Sequence, residues 1–124
     1  MRTFCREEHL KGRSRIREVF SKGKRYYEAG SKLIVLPNNL HHNRICFTFT
    51  GGKKFGNAVA RNRAKRLGRE AYRLIKEQVL GGYDLILLLY PESGKTTLSI
   101  RMEQLQSLYK KAGLLNEIYS ACVN

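Results

Sequence analysis

Arg61, Asn62, Arg63, Lys65, Arg66, Arg69 and Arg73 fall within thirteen residues of a 124-residue chain. Guanidinium and ammonium groups at this density grip anions. Arg presents a planar fork that matches phosphate oxygens and stacks on bases. Asn62 adds a donor and an acceptor among pure donors, suited to a sugar hydroxyl or a base edge. Just upstream, Gly51-Gly52-Lys53-Lys54-Phe55-Gly56 offers backbone N–H groups and two ammoniums. Beside a helix N-terminus, that composition makes an anion site. The chemistry on offer is the binding of a polyanion.

Residue sets that break bonds are missing from the pattern, so no catalytic residue and no protein-bound metal is expected. His9, His41, His42 and the cysteines Cys5, Cys46 and Cys122 lack zinc-ligand spacing. Gly94-Lys95-Thr96 resembles the tail of a phosphate-binding loop, but the position that needs the first glycine holds Leu89. No Ser/His/Asp set or carboxylate pair stands out among only ten acids.

Charge is concentrated. The formal net charge is +14, with a pI near 10.1. Residues 1–26 carry nine Lys or Arg against Glu7, Glu8 and Glu18, and residues 53–73 carry eight against Glu70 alone. Those two blocks hold nearly all the excess, the footprint of a nucleic-acid binder and less often of an anionic-membrane binder. An odd number of scattered cysteines suits a reducing cytoplasm, the expected location. No apolar run is long enough to span a bilayer, and the charged N-terminus does not read as a signal peptide.

Several elements must position the cations. Ser14 reads as an N-cap, with Ile16, Val19 and Phe20 at helical spacing and Gly23 as the stop. Tyr26–Tyr27 and Leu33–Leu36 read as extended, with Pro37-Asn38-Asn39 as a turn. Ile45, Phe47 and Phe49 alternate with Cys46, Thr48 and Thr50, the period of a half-buried strand. Asn57 can cap a long helix running to about Gln78.

On that helix Ala60, Ala64, Leu67, Ala71, Leu74 and Ile75 share one arc. Arg61, Lys65, Arg66, Arg69 and Arg73 take the opposite one, with Asn62 in its midst and Arg63 at its flank. A solvated helix face normally mixes signs, but here Glu70 is the sole offset. Gly68 either admits a close neighbour or has no role. Tyr83–Tyr90, apolar apart from Asp84, reads as a strand covered on both faces. Leu98, Met102, Leu105, Leu108, Tyr109 and Ala112 mark a last amphipathic helix closed by Gly113. The order is α-β-β-(β)-α-β-α, an α+β or small α/β sandwich in one nucleic-acid-binding domain, 1–124. Residues 1–13 form a basic arm and 114–124 a loosely ordered tail.

The run Gly52 to Arg73, GKKFGNAVARNRAKRLGREAYR, resembles the signature of the bacterial ribonuclease P protein family. Val19-Phe20 with Gly23, and Asp84 opening the last strand, agree in spacing, so the resemblance spans about residues 10–112. It implies a ribosomal-protein-like α-β-β-β-α-β-α fold with a left-handed β-α-β crossover, against the usual hand. It also implies a subunit that joins a catalytic RNA to trim the 5′ leader from precursor tRNA, with chemistry in the RNA and its Mg²⁺. No cofactor in the protein, no membrane and no protein partner would be required.

On that resemblance Arg61, Asn62, Arg63, Lys65, Arg66, Arg69 and Arg73, flanked by Lys53 and Lys54, contact RNA. The leader lies between the first helix and the sheet, at Ile16, Phe20, Leu33 and Val35. Of these four only Phe20 supplies a ring for stacking, and its spacing is equally that of a core residue. The chain departs from the family's habit at Gly52, where Ser is common. Tyr90 replaces a frequent Arg, and Ile16 a frequent aromatic. The alternative from the residues alone is a structural RNA-binding protein of ribosomal type, without a role in cleavage.

Overall fold

A computed structural model describes residues 8–28, 30–49, 56–90 and 96–115. The elements are α1 (Arg13–Lys22), β1 (Lys24–Glu28), β2 (Ser31–Pro37), β3 (Arg44–Phe49), α2 (Ala58–Ile75), β4 (Tyr83–Leu89) and α3 (Leu98–Lys111). This is the expected α+β order. The bracketed third strand is real, and a 3-10 turn over Lys76–Gln78 tightens the end of α2.

Helix α1 begins two residues earlier than Ser14 would set it. Its N-cap is Gly12, which has φ 94° and no side-chain cap, and Ser14 lies exposed inside the first turn. Only a residue tolerant of positive φ turns the chain there from the sheet edge into the helix. Asn57 does cap α2: its side-chain oxygen accepts from the Ala60 N–H at 3.0 Å. Thr97 caps α3 in the same way, from the Ile100 N–H at 3.3 Å.

The four strands form one sheet in the order β1-β2-β4-β3. β2 is antiparallel to both β1 and β4, whereas β3 runs parallel to β4 and reaches it through α2. Strand β4 is buried along nearly its whole length, which explains its unbroken apolar run.

Alternation along the strands splits the core into two layers. One face carries Leu33, Val35, Ile45, Leu85, Leu87 and Leu89. Against it pack Ala64, Ala71, Tyr72 and Ile75 of α2 and Leu105, Leu108 and Tyr109 of α3. The other face carries Ile34, Leu36, Cys46, Ile86 and Leu88 under Val19, Ile16 and Phe20 of α1. Each fully buried Leu, Ile or Val contributes about 1.5–3 kcal/mol, so the larger layer dominates stability and α1 is held by the smaller.

The buried line of α2 is rotated from the expected arc. Gly68 and Tyr72 are buried, while Ala60, Leu67 and Leu74 are only half-buried. Gly68 has a packing reason, since a Cβ there would lie 2.9 Å from the Phe47 ring. Its missing side chain lets α2 close on β3.

Of the expected basic arm, residues 8–10 are part of the fold. His9 bridges to Ile45, the Leu10 N–H donates to the Ile45 carbonyl at 3.0 Å, and Leu10 is buried. At the other end Leu114 and Leu115 are buried, and the Leu114 carbonyl accepts from the Leu80 N–H at 2.7 Å. The rest of the expected tail, 116–124, lies outside the described residues.

Candidate nucleic-acid interface

Helix α2 supplies the interface because its buried seam faces the sheet and turns the cations outward. Asn62, Arg63, Lys65, Arg66 and Arg69 are exposed, and Arg61 and Arg73 are half-buried at the margins. Among the described residues no carboxylate forms an ion pair with Arg63, Lys65, Arg66 or Arg69. Arg73 differs: it donates to Glu70 through Nη2 and, at 3.3 Å, through Nε. That hydrogen bond holds the Glu70 carboxyl below its ordinary value. The sole acid of the helix is thereby satisfied at the C-terminal end, leaving the arc from Asn62 to Arg69 without a counter-charge among the described residues.

At the start of α2 a hollow opens between Phe49 and the side chains of Asn57, Arg61, Asn62 and Lys65. The Lys65 ammonium lies 5.8 Å from the centroid of the Phe49 ring, within cation–π range. Lys65 and Arg69 also line a second hollow, with His9, Lys11 and Cys46, where residues 8–11 pass along β3. Burial and the charges of Lys11 and Arg69 hold the His9 imidazole below its ordinary value, against an opposing pull from Glu8. The two basic blocks of the sequence therefore meet at the β3 edge. Lys53 and Lys54 lie outside the described residues.

The expected cleft between α1 and the sheet needs correcting. Ile16 and Phe20 are half-buried on the side of α1 that faces the sheet. Leu33 and Val35 are not on that side: both belong to the layer beneath α2 and α3. Strand period two put them on the same face as each other but did not say which face. The β2 residues that α1 covers are Ile34 and Leu36.

The sequence reading also missed what anchors α1. Asp84, fully buried at the start of β4, accepts from Arg15 Nε at 2.6 Å, Arg44 Nε and Nη2 at 2.7 Å each, and Asn38 Nδ2 at 3.0 Å. Arg15 also donates to Glu18 at 2.6 Å and to the Pro37 carbonyl at 2.9 Å. Burial pushes the Asp84 carboxyl up, but the hydrogen bonds from Arg44, Asn38 and Arg15 together outweigh it and leave the group below its ordinary value. The available signal was a lone acid in an apolar strand, which needs a cationic partner if buried. Arg101 is a second buried charged residue that helical spacing did not reveal, and it donates to Gln104 at 2.7 Å.

Among the described residues no three His, Cys, Asp or Glu gather where they would hold a metal ion, and no helix is long and apolar enough to cross a membrane. The surface can bind and orient a polyanion.

Comparison with known proteins agrees with this geometry. The ribonuclease P family model matches residues 4–113. The ribonuclease P protein component of Natranaerobius thermophilus is 49% identical over 79 residues, covering 64% of this chain and 67% of that one. That of Petrotoga mobilis is 35% identical over 105 residues, 85% and 87% of the two chains. Solved structures share the fold. The RNase P protein of Staphylococcus aureus superposes with a TM-score of 0.76 at 24% identity, over 88% of this chain and 98% of that one. That of Thermotoga maritima gives 0.73 at 24% identity, over 84% and 96%. With the basic helix, the sheet and the α1 anchor all inside the matched span, the chain belongs to the ribonuclease P protein family.

Proposed function

We propose that the protein works in tRNA maturation as the RNA-binding subunit of a cytoplasmic ribonuclease P. In this reading it holds the catalytic RNA and the 5′ leader of precursor tRNA while the RNA, with its Mg²⁺, cleaves. The observation that carries the reading is the exposed Asn62–Arg69 arc, whose cations meet no carboxylate partner among the described residues. Its cations repel one another in the free protein and are relieved when phosphates replace condensed counterions. Arg61, Asn62 and Arg63 lie at the end of α2 nearest the hollow beside Phe49. The family membership supports RNA as the polyanion, and Lys53 and Lys54 would extend the same contact.

The leader contact lies on the α1 side of the sheet, at Ile16 and Phe20, with Ile34 and Leu36 taking the places expected of Leu33 and Val35. Each residue here binds or positions; proton transfer and phosphodiester cleavage are assigned to the RNA subunit. Reconstitution with a cognate ribonuclease P RNA at low Mg²⁺ tests the proposal. Addition of the protein should stimulate leader cleavage and favour precursor over mature tRNA. Absence of both effects would refute it.

A further inference from the structure

The α1-side face of the sheet has three rows that the strand register fixes. One row is Leu36, Asp84 and Arg44, and the next is Arg25, Ile34, Ile86 and Cys46. Helix α1 lies over these two: Arg15 is tied to Asp84, Arg25 donates to the Phe20 carbonyl, and a Cβ on Gly23 would collide with Ile34. Its apolar layer also reaches Leu88, in the middle of the next row. The third row is Tyr27, Lys32, Leu88 and Thr48 and crosses all four strands. It runs from the β3 edge, where Lys65, Arg69 and Lys11 gather, to the β1 edge. Three inter-strand steps separate its ends, roughly 14 Å.

Tyr27 closes the far end of this row. It is 55% exposed, and the Lys32 ammonium lies 5.1 Å from its ring centroid. The row itself contains no acid. Glu28, the nearest one in sequence, sits on the opposite face, bound to Ser107 and, at 3.0 Å, to Lys111. An exposed ring with a cation beside it and, among the described residues, no carboxylate paired with that cation has the composition of a stacking site for single-stranded nucleic acid.

We propose that Tyr27, backed by Lys32, is a stacking platform for a leader base at the end of the row farthest from α2. This rests on the reading above that the leader crosses the α1-side face, and it adds a contact that acts only on leaders long enough to reach β1. Lys32 would meet the adjoining phosphate, and the Tyr27 ring would take the base whatever its identity, because every base offers a π-face.

The test measures precursor affinity of the reconstituted holoenzyme over a series of leader lengths, for wild type, Tyr27→Ala and Tyr27→Phe. Wild type should bind more tightly as the leader lengthens. Tyr27→Ala should lose about fivefold or more on the longest leaders, the low end for one stacked base, and nothing on the shortest. That unchanged value is the internal control for folding and RNA assembly. Tyr27→Phe keeps the ring and should bind like wild type. A wild-type gain that Tyr27→Ala retains in full would overturn this inference alone, and so would an equal loss at every leader length or an equal loss in Tyr27→Phe. No gain with leader length in wild type would overturn the leader-binding reading itself.

Discussion

Arginine is used in two opposite ways in this molecule. Around Asp84, Arg15 and Arg44 converge on one buried carboxylate and tie α1, β3 and β4 together. On α2, Arg63, Arg66 and Arg69 with Lys65 stand exposed and meet no carboxylate among the described residues. The first group completes the fold, and the second is left with uncompensated charge among the described residues, as the proposed contact with RNA requires. A count of basic residues cannot separate the two; the presence or absence of an acid opposite each cation does. The N-terminal block therefore contributes less to the outward charge than its composition suggests, because Arg15 and Lys22 are paired with Asp84 and Glu18.

That contrast can be broken at either end. The largest effect should come from changing Lys65, Arg66 and Arg69 together to Gln. Three charge-assisted contacts at about 1–1.5 kcal/mol each imply a roughly 10²–10³-fold loss of affinity for the RNA subunit. Thermal stability should stay within about 0.5 kcal/mol, the usual range for surface changes. Equilibrium binding and a melting curve on the same protein check both halves. Asp84→Ala should do the reverse, costing about 3 kcal/mol in a denaturant titration. Two arginines then lose their shared acceptor, although their partial exposure keeps the cost at the low end for a broken buried pair.

The same node sets an acid limit. Because folding lowers the Asp84 pKa, its stabilisation is complete at neutral pH. It is lost as pH falls from about 4, the unfolded value, through the folded one. Wild type should lose stability over that window, and Asp84→Ala, already lacking the interaction, should lose less. The smallest effect is expected for Gly68→Ala. Helix propensity would gain about 1 kcal/mol, but the added methyl meets the Phe47 ring at 2.9 Å. Overpacking costs about 1–3 kcal/mol, so chemical denaturation should show a net loss of roughly 1 kcal/mol.

How much of this was legible beforehand depends on the kind of signal. The α2 cap at Asn57, the alternation through Ile45, Phe47 and Phe49 and the buried run of β4 are local patterns, and each was readable. Which face of the sheet receives which helix is a tertiary decision. For that reason Leu33 and Val35 were placed under α1 when they lie under α2 and α3. Gly12 displaced Ser14 as a cap because the chain enters α1 from the sheet edge, a constraint that Leu10 sets through Ile45. The basic arc was visible as a period. The engagement of Arg15 and Arg44 by Asp84 was not, since its members are 40 and 69 residues away in the chain.

The salt dependence of binding to the RNA subunit tests the division between the two arginine groups most directly. Each phosphate contact contributes about 0.7–0.9 to the slope of log affinity against log salt. Replacing Lys65, Arg66 and Arg69 by Gln should reduce that slope by about 2 to 3, whereas Arg15→Gln should leave it unchanged. An unaltered slope in the α2 variant, or a reduced one in Arg15→Gln, would contradict the assignment of the α2 arc as the RNA-binding surface.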